Sequence, residues 1–300
     1  MIRCAIIGLG NIGFLYDYKN IKKNIVFSHT KAIIKNKNFY LTAVVERKKS
    51  IIKKFKRKYS IPVYNSIKSL FLNETIDLIV ISVETNKHFD FFKKIIAQNI
   101  KAIIIEKPLS HSINHSKEIL KISRQKKIPT YVNFQRSLEP GFKILKKNLD
   151  NSKYGNIQKS YFYYSKDIKE YGCHALDLIL FLFGKPRTYS FIDIHKEDFL
   201  FKYKNYNTYL LKSNTEELSL IIITDKYSIT FSDNQKIKIY NNNDKKKKTT
   251  TINTFSKSNI KFLYEVIYSN LKKGFTNNMD NLDVAFFNHK ITNKLTNENK

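Results

Sequence analysis

Short, predominantly apolar runs constrain the first 135 residues more than any other feature. They fall at 2–7, 40–45, 77–83, 103–105 and 129–133, with a shorter one at 61–64. An apolar run of this length without polar alternation is what a strand covered on both faces requires, as in a parallel sheet. Between the runs lie stretches of helical spacing at 29–37, 50–59, 66–72, 87–98 and 115–127. Six strands alternating with helices predict a doubly wound parallel sheet of the Rossmann type. Ligands of such sheets sit beyond the carboxyl ends of the strands, so residues that follow the runs are the first site candidates.

The first run passes directly into Gly8-Leu9-Gly10-Asn11-Ile12-Gly13. Strand, GxGxxG and helix in succession form the dinucleotide-binding pattern. Gly8 permits the tight turn, Gly10 lets the backbone approach a pyrophosphate, and Gly13 allows close helix–strand packing. The helix expected behind them offers free N–H groups to phosphate. The second run ends in Glu46-Arg47, 33 residues after Gly13, against roughly 20 in the simplest pattern. The surplus lies at 16–27. Glu46 is placed to accept the adenosine ribose hydroxyls, which favours NAD; Arg47 could receive a 2′-phosphate, which leaves NADP open.

The run 103–105 stops at Glu106-Lys107-Pro108, placing a charged pair at the ligand edge of the sheet. Beyond Arg136 the pattern changes. A helix is expected at 141–148 and a strand at 157–164. Glu170-Tyr171-Gly172-Cys173-His174-Ala175-Leu176-Asp177 then leads into an apolar helix at 178–183, closed by Gly184-Lys185-Pro186. Short strands follow at 190–194, 207–212, 217–224, 227–232 and 236–240, and helices at 261–272 and 283–295. The reading is an α/β chain: a dinucleotide-binding domain at 1–136, and at 137–300 a substrate-binding domain with a largely antiparallel open sheet, whose face suits self-association.

The formal charge of +29 resembles a nucleic-acid signature, but all but six of the 54 basic residues are lysine. Arginine is the residue suited to planar, bidentate phosphate and base recognition. The lysines are dispersed, and the run at 245–248 follows an Asn-rich stretch that reads as a solvated loop. With abundant Asn and Ile and no Trp, this is compositional bias; no specific nucleic-acid partner is expected. No run approaches the length of a membrane span. Cys4 and Cys173 are too few and too far apart for a disulfide framework or a zinc site, and no metal is expected. The chain enters its first strand at Ile2 without a signal-like apolar segment, so a reducing cytoplasm is the expected location.

Four motifs in order carry a family resemblance: Gly8 to Gly13, Glu106-Lys107-Pro108, Asn133-Phe134-Gln135-Arg136, and Gly172-Cys173-His174-Ala175-Leu176-Asp177. Together they resemble the Gfo/Idh/MocA family of nicotinamide-dependent oxidoreductases. The resemblance implies hydride transfer between NAD(P) and a hydroxyl or keto carbon of a sugar or nucleotide sugar, as in surface-glycan synthesis. It implies that Gly8, Gly10, Asn11, Ile12, Gly13, Glu46, Arg47, Glu106 and Lys107 hold the cofactor. Lys107 would hydrogen-bond the reacting hydroxyl, and His174 would remove its proton. Arg136, Tyr171 and Asp177 are expected to face substrate. The family commonly has aspartate four residues before the histidine; Glu170 stands there. Threonine-proline after the fourth strand is replaced by Glu84-Thr85-Asn86, with His88 keeping the downstream histidine. A homo-oligomer is expected. The alternative is a catalytically silent NAD-binding sensor of the same fold.

Overall fold

The computed structural model describes residues 1–18, 25–214, 218–232, 236–244, 249–254, 260–274 and 280–298, with side chains through 294. The lysine run at 245–248 and residues 19–24 of the insertion lie outside the described residues. Packing groups the chain into two units, Met1–Asn133 with Lys257–Phe287, and Phe134–Ser256 with Asn288–Lys300.

In the first unit the elements run β1 (Ile2–Ile7), α1 (His29–Ile34), β2 (Phe39–Val45), α2 (Lys49–Lys56), β3 (Val63–Tyr64) and α3 (Ile67–Asn73). They continue through β4 (Leu78–Ile81), α4 (His88–Ile95), β5 (Ala102–Ile105), α5 (Ile113–Lys126) and β6 (Thr130–Val132). Among the described residues the strands form one six-stranded sheet of order β3-β2-β1-β4-β5-β6, and the pairs are parallel. This is the doubly wound sheet that the apolar runs predict. Every residue of β4 and β5 is buried. Each large aliphatic side chain there contributes about 1.5–3 kcal/mol by leaving water. Strand order reverses between β1 and β4, which opens a crevice at their carboxyl ends.

The helix expected directly behind Gly13 does not form there. Residues 11–14 are turns, Leu15–Asp17 is a single 3-10 turn, and α1 begins at His29. Asp17 explains the detour. Its carboxylate, 2% exposed, accepts the Phe27 and Ser28 backbone N–H groups and the Ser28 hydroxyl at 2.7–2.8 Å. The chain therefore leaves and returns under one side chain. The His29 and Thr30 N–H groups then donate to the Ile12 and Gly13 carbonyls, so α1 resumes where the glycine turn stops.

The second unit contains α6 (Pro140–Asp150), β7 (Ile157–Tyr164), α7 (Cys173–Phe183), β8 (Thr188–Asp193), β9 (Asp198–Lys202) and β10 (Asn207–Lys212). Then come β11 (Leu218–Thr224), β12 (Tyr227–Ser232), β13 (Lys236–Asn241) and β14 (Thr249–Asn253). Among the described residues they form an eight-stranded sheet of order β14-β13-β12-β11-β7-β10-β9-β8. It is antiparallel except where β10 runs parallel to β7. One face buries Phe162, Phe199, Leu210, Leu220 and Ile229. The α6 ring of Phe142 meets Phe231 at 5.1 Å, and the α7 ring of Phe183 meets Phe162 at 5.9 Å.

Two strands escape the sequence reading. β9 is a short edge-proximal strand bounded by charges, and β14 is a threonine-rich segment whose strand state comes from pairing with β13. α7 also begins five residues before its apolar run. A π-helical turn, Ile168–Gly172, feeds into it, capped by Asp167, which accepts the Lys169 and Glu170 N–H groups.

The segment 257–287, expected with the second domain, packs with the first unit. It carries α8 (Ile260–Lys273) and the start of α9 (Leu282–Glu298). The cause lies at edge strand β6. Asn281 accepts the Val132 N–H at 2.8 Å and donates to the Val132 carbonyl at 2.7 Å. Asp280 accepts the Thr130 N–H at 2.9 Å and the forked guanidinium of Arg124. These groups satisfy a strand edge that would otherwise be open.

Candidate active site

The crevice beyond β1, β2 and β4 holds a cavity of about 460 Å³. Gly8, Glu46, Arg47, Lys48, Val83 and Lys87 are among its lining residues. A neighbouring cavity of about 270 Å³ reaches Gly10 and Ser82. Two glycines make this wall thin. Gly8 has φ +91°, and a Cβ there would lie 2.7 Å from the Ser82 carbonyl oxygen; a Cβ on Gly13 would fall on the Gly8 carbonyl oxygen. Gly10 differs, since nothing stands within 4 Å of its Cβ position. That is the open approach a pyrophosphate needs, and the residues present therefore fit a dinucleotide.

Glu46 follows β2 as the sequence predicts, with both oxygens engaged. Oε2 accepts the Leu9 N–H at 2.9 Å, while Oε1 accepts the Arg47 and Lys48 N–H groups at 2.8 and 2.9 Å. The carboxylate thus joins the glycine loop to the end of β2. Arg47 and Lys48 bring positive charge to the same wall.

Lys107 follows β5 half-buried, and its peptide bond to Pro108 is cis. Glu106, expected to touch cofactor, turns inward. Its Oε1 accepts from His29 Nε2 at 2.7 Å and from Asn133 Nδ2 at 2.6 Å. The other ring nitrogen of His29 lies 2.8 Å from the Tyr264 hydroxyl on α8. Burial, reinforced by Cys4 and Glu106, holds the Tyr264 phenol well above its ordinary pKa. It therefore keeps its proton and donates to Nδ1, while Nε2–H is given to Glu106. Next in the chain, the Pro108 carbonyl lies 3.1 Å from the buried ring of His88, whose other nitrogen lies 3.0 Å from the Val83 carbonyl.

In the second unit the turn and helix spanning 168–183 carry Glu170, Tyr171, His174 and Asp177. Glu170 is exposed and Tyr171 half-exposed on the π-helical turn. The Tyr171 ring lies under Lys166 Nζ, 4.5 Å from its centroid. His174 is half-buried at the start of α7, edge-on to Phe134 at 6.2 Å. Asp177, one turn on, is buried, and burial pushes its carboxyl up to about 7 against hydrogen bonds from Ser137. Arg136 is paired with the buried Glu139 at 3.1 Å. Sequence reasoning missed His29, Tyr264, Asp17 and Ser82 as parts of these arrangements. Asn133 was visible as part of a motif, without its role.

The comparisons with known proteins bear on the first unit most directly. Residues 2–134 match the oxidoreductase family with an NAD-binding Rossmann fold, Gfo/Idh/MocA. That match takes in the six-stranded parallel sheet and ends at Phe134. Scyllo-inositol 2-dehydrogenase (NAD+) of Bacillus subtilis is 28% identical over 163 residues, 54% of this chain and 43% of that protein. The oxidoreductase YhhX of Escherichia coli is 23% identical over 207 residues, 62% of this chain and 55% of that protein. The chain thus spans about half the length of the curated relatives it matches. An Agrobacterium radiobacter oxidoreductase, solved with NAD+, L-tartaric acid and magnesium, has a TM-score of 0.77 at 16% identity, covering 100% of this chain and 97% of that one. At that identity the likeness concerns the fold. Among the described residues no group of three or more His, Cys, Asp or Glu side chains could hold a metal ion. No described helix is long and apolar enough to cross a membrane.

Proposed function

We propose that this chain is an oxidoreductase of the Gfo/Idh/MocA family that transfers hydride between NAD and a secondary alcohol, or the corresponding ketone, of a sugar, nucleotide sugar or polyol. The open space at Gly10, beside a cavity walled by Glu46, carries the reading. Gly8, Asn11, Ile12 and Gly13 form the pyrophosphate turn, and Glu46 with Arg47 faces the adenosine ribose. Glu106 contributes by holding Lys107. NAD supplies the hydride acceptor when bound. The relatives named for inositol oxidation support a polyhydroxylated substrate.

His174 Nε2 takes the hydroxyl proton, because Nδ1 is buried and hydride leaves carbon only as that proton departs. Lys107 Nζ stabilises the developing alkoxide. Glu170, Tyr171, Arg136 and Asp177 shape the surroundings of His174. Tyr161, Tyr209, Leu211, Ile221 and Ile223 alternate with the buried sheet residues and are only half-covered, which supports a second copy of the chain on that sheet face.

Titration of NADH fluorescence, followed by turnover on a panel of inositols, sugars and nucleotide sugars, tests the function. Absence of NADH binding would overturn it.

A further inference from the structure

Four polar groups are buried where the fold alone would be served by apolar packing. His29 and Tyr264 are fully covered, Asn133 is 2% exposed and Glu106 is 8% exposed. A buried carboxylate is tolerated only when it is paired and hydrogen-bonded. Here one oxygen of Glu106 receives two donors, His29 from α1 and Asn133 from the end of β6. Tyr264 fixes the imidazole from behind at 2.8 Å. The same short stretch is also held through its main chain. The Glu106 N–H donates to the Ile81 carbonyl, and the Asn133 N–H to the Ile105 carbonyl.

Lys107 is the next residue. We propose that His29 is a positioning residue for Lys107, acting through Glu106. The imidazole locks the carboxylate inward, which fixes the direction in which the chain delivers the lysine side chain. A polar network gives this orientation more sharply than aliphatic packing, because each hydrogen bond specifies an angle as well as a distance. His29 also donates its backbone N–H to the Ile12 carbonyl of the glycine turn. One residue therefore touches both the phosphate-facing turn and the carboxylate beside Lys107. The inference rests on the reading that Lys107 contacts the nicotinamide half of the cofactor.

The test compares His29→Leu, His29→Gln, Lys107→Ala and the His29→Leu/Lys107→Ala double variant. Calorimetry gives the Kd of NADH and of 5′-AMP, the latter probing the adenosine half alone. His29→Leu should weaken NADH about tenfold, the worth of one well-placed hydrogen bond, and leave 5′-AMP within about twofold. His29→Gln, which keeps one donor, should recover most of the loss. The double variant should bind NADH no more weakly than Lys107→Ala.

Equal losses for NADH and 5′-AMP, or additive losses in the double variant, overturn the proposal in favour of a structural role. So does wild-type NADH affinity in His29→Leu when Lys107→Ala is impaired. If Lys107→Ala binds NADH normally, the reading of Lys107 itself fails and takes the proposal with it. Should His29→Leu not fold, Tyr264→Phe removes only the hydroxyl behind Nδ1. It should show the same NADH-selective loss at about two- to threefold, and an unselective loss rejects the idea.

Discussion

The carboxylate of Glu46 accepts the backbone N–H of Leu9 at 2.9 Å. The acid that ends β2 is therefore physically part of the glycine loop that follows β1. Replacing it with alanine should loosen that loop as well as remove a charge. NADH is expected to bind the wild type more tightly than NADPH, because on the proposed reading the Glu46 carboxylate lies beside the adenosine ribose and would repel a 2′-phosphate. Glu46→Ala should weaken NADH and narrow the gap between the two. Titrating both cofactors against both proteins decides it, and a wild type that prefers NADPH transfers the specificity to Arg47 and Lys48.

Gly8 and Gly10 should separate folding from binding. Gly8→Ala forces a side chain into a positive-φ position 2.7 Å from the Ser82 carbonyl oxygen, and should cost about 1–3 kcal/mol of stability. Gly10→Val places its Cβ where no protein atom stands within 4 Å. It should leave thermal unfolding near wild type, within about 0.5 kcal/mol, yet weaken NADH at least tenfold. Loss of stability in Gly10→Val without loss of binding contradicts this division.

His174→Ala should retain NADH affinity and lower turnover by roughly 10²–10⁴-fold, the usual worth of a placed acid–base group. Steady-state rates on a responsive sugar or polyol measure it. Turnover close to wild type would mean that the base lies elsewhere.

Asp177 should make stability fall as pH rises. Its carboxyl is pushed from an ordinary 3.8 up to about 7, chiefly by burial. Between those values the folded protein keeps a proton that the unfolded chain has released. The contribution is therefore complete below about pH 4 and is lost as pH climbs through about 7. Asp177→Asn cannot ionise, so urea midpoints at pH 5 and pH 8 should converge more in the variant than in the wild type. Identical pH slopes for the two proteins would count against it.

How much of this was legible depended on how far each residue's partner lies along the chain. Strands β4 and β5 announce themselves because burial on both faces demands a local apolar run, and β1 and β2 because most of their residues are apolar and buried. Gly8, Glu46 and Lys107 are legible because strand ends mark the ligand edge. His29 is not, since its partners lie 77 and 235 residues away, and a lone histidine at a helix start carries no sign of them. Asp17 looks like any acid in a polar insertion until Phe27 and Ser28 fold back onto it. β14 depends on pairing with β13, which no local pattern in a threonine run encodes.

The pairing of Asn281 with Val132 also sets an order of events during synthesis. The last strand of the first sheet leaves the ribosome with Val132, but the side chain that completes its edge arrives about 150 residues later. At translation rates of roughly 5–20 residues per second, that interval is about 7–30 s. During it the nascent sheet carries an unfinished border while all of 134–256 is being made. The amino-terminal half is thus the first to begin folding and among the last to finish. A ribosome stalled anywhere in that window would hold a chain whose exposed edge is open to neighbours, which makes Asp280 and Asn281 a safeguard against aggregation as well as the lead-in to a helix.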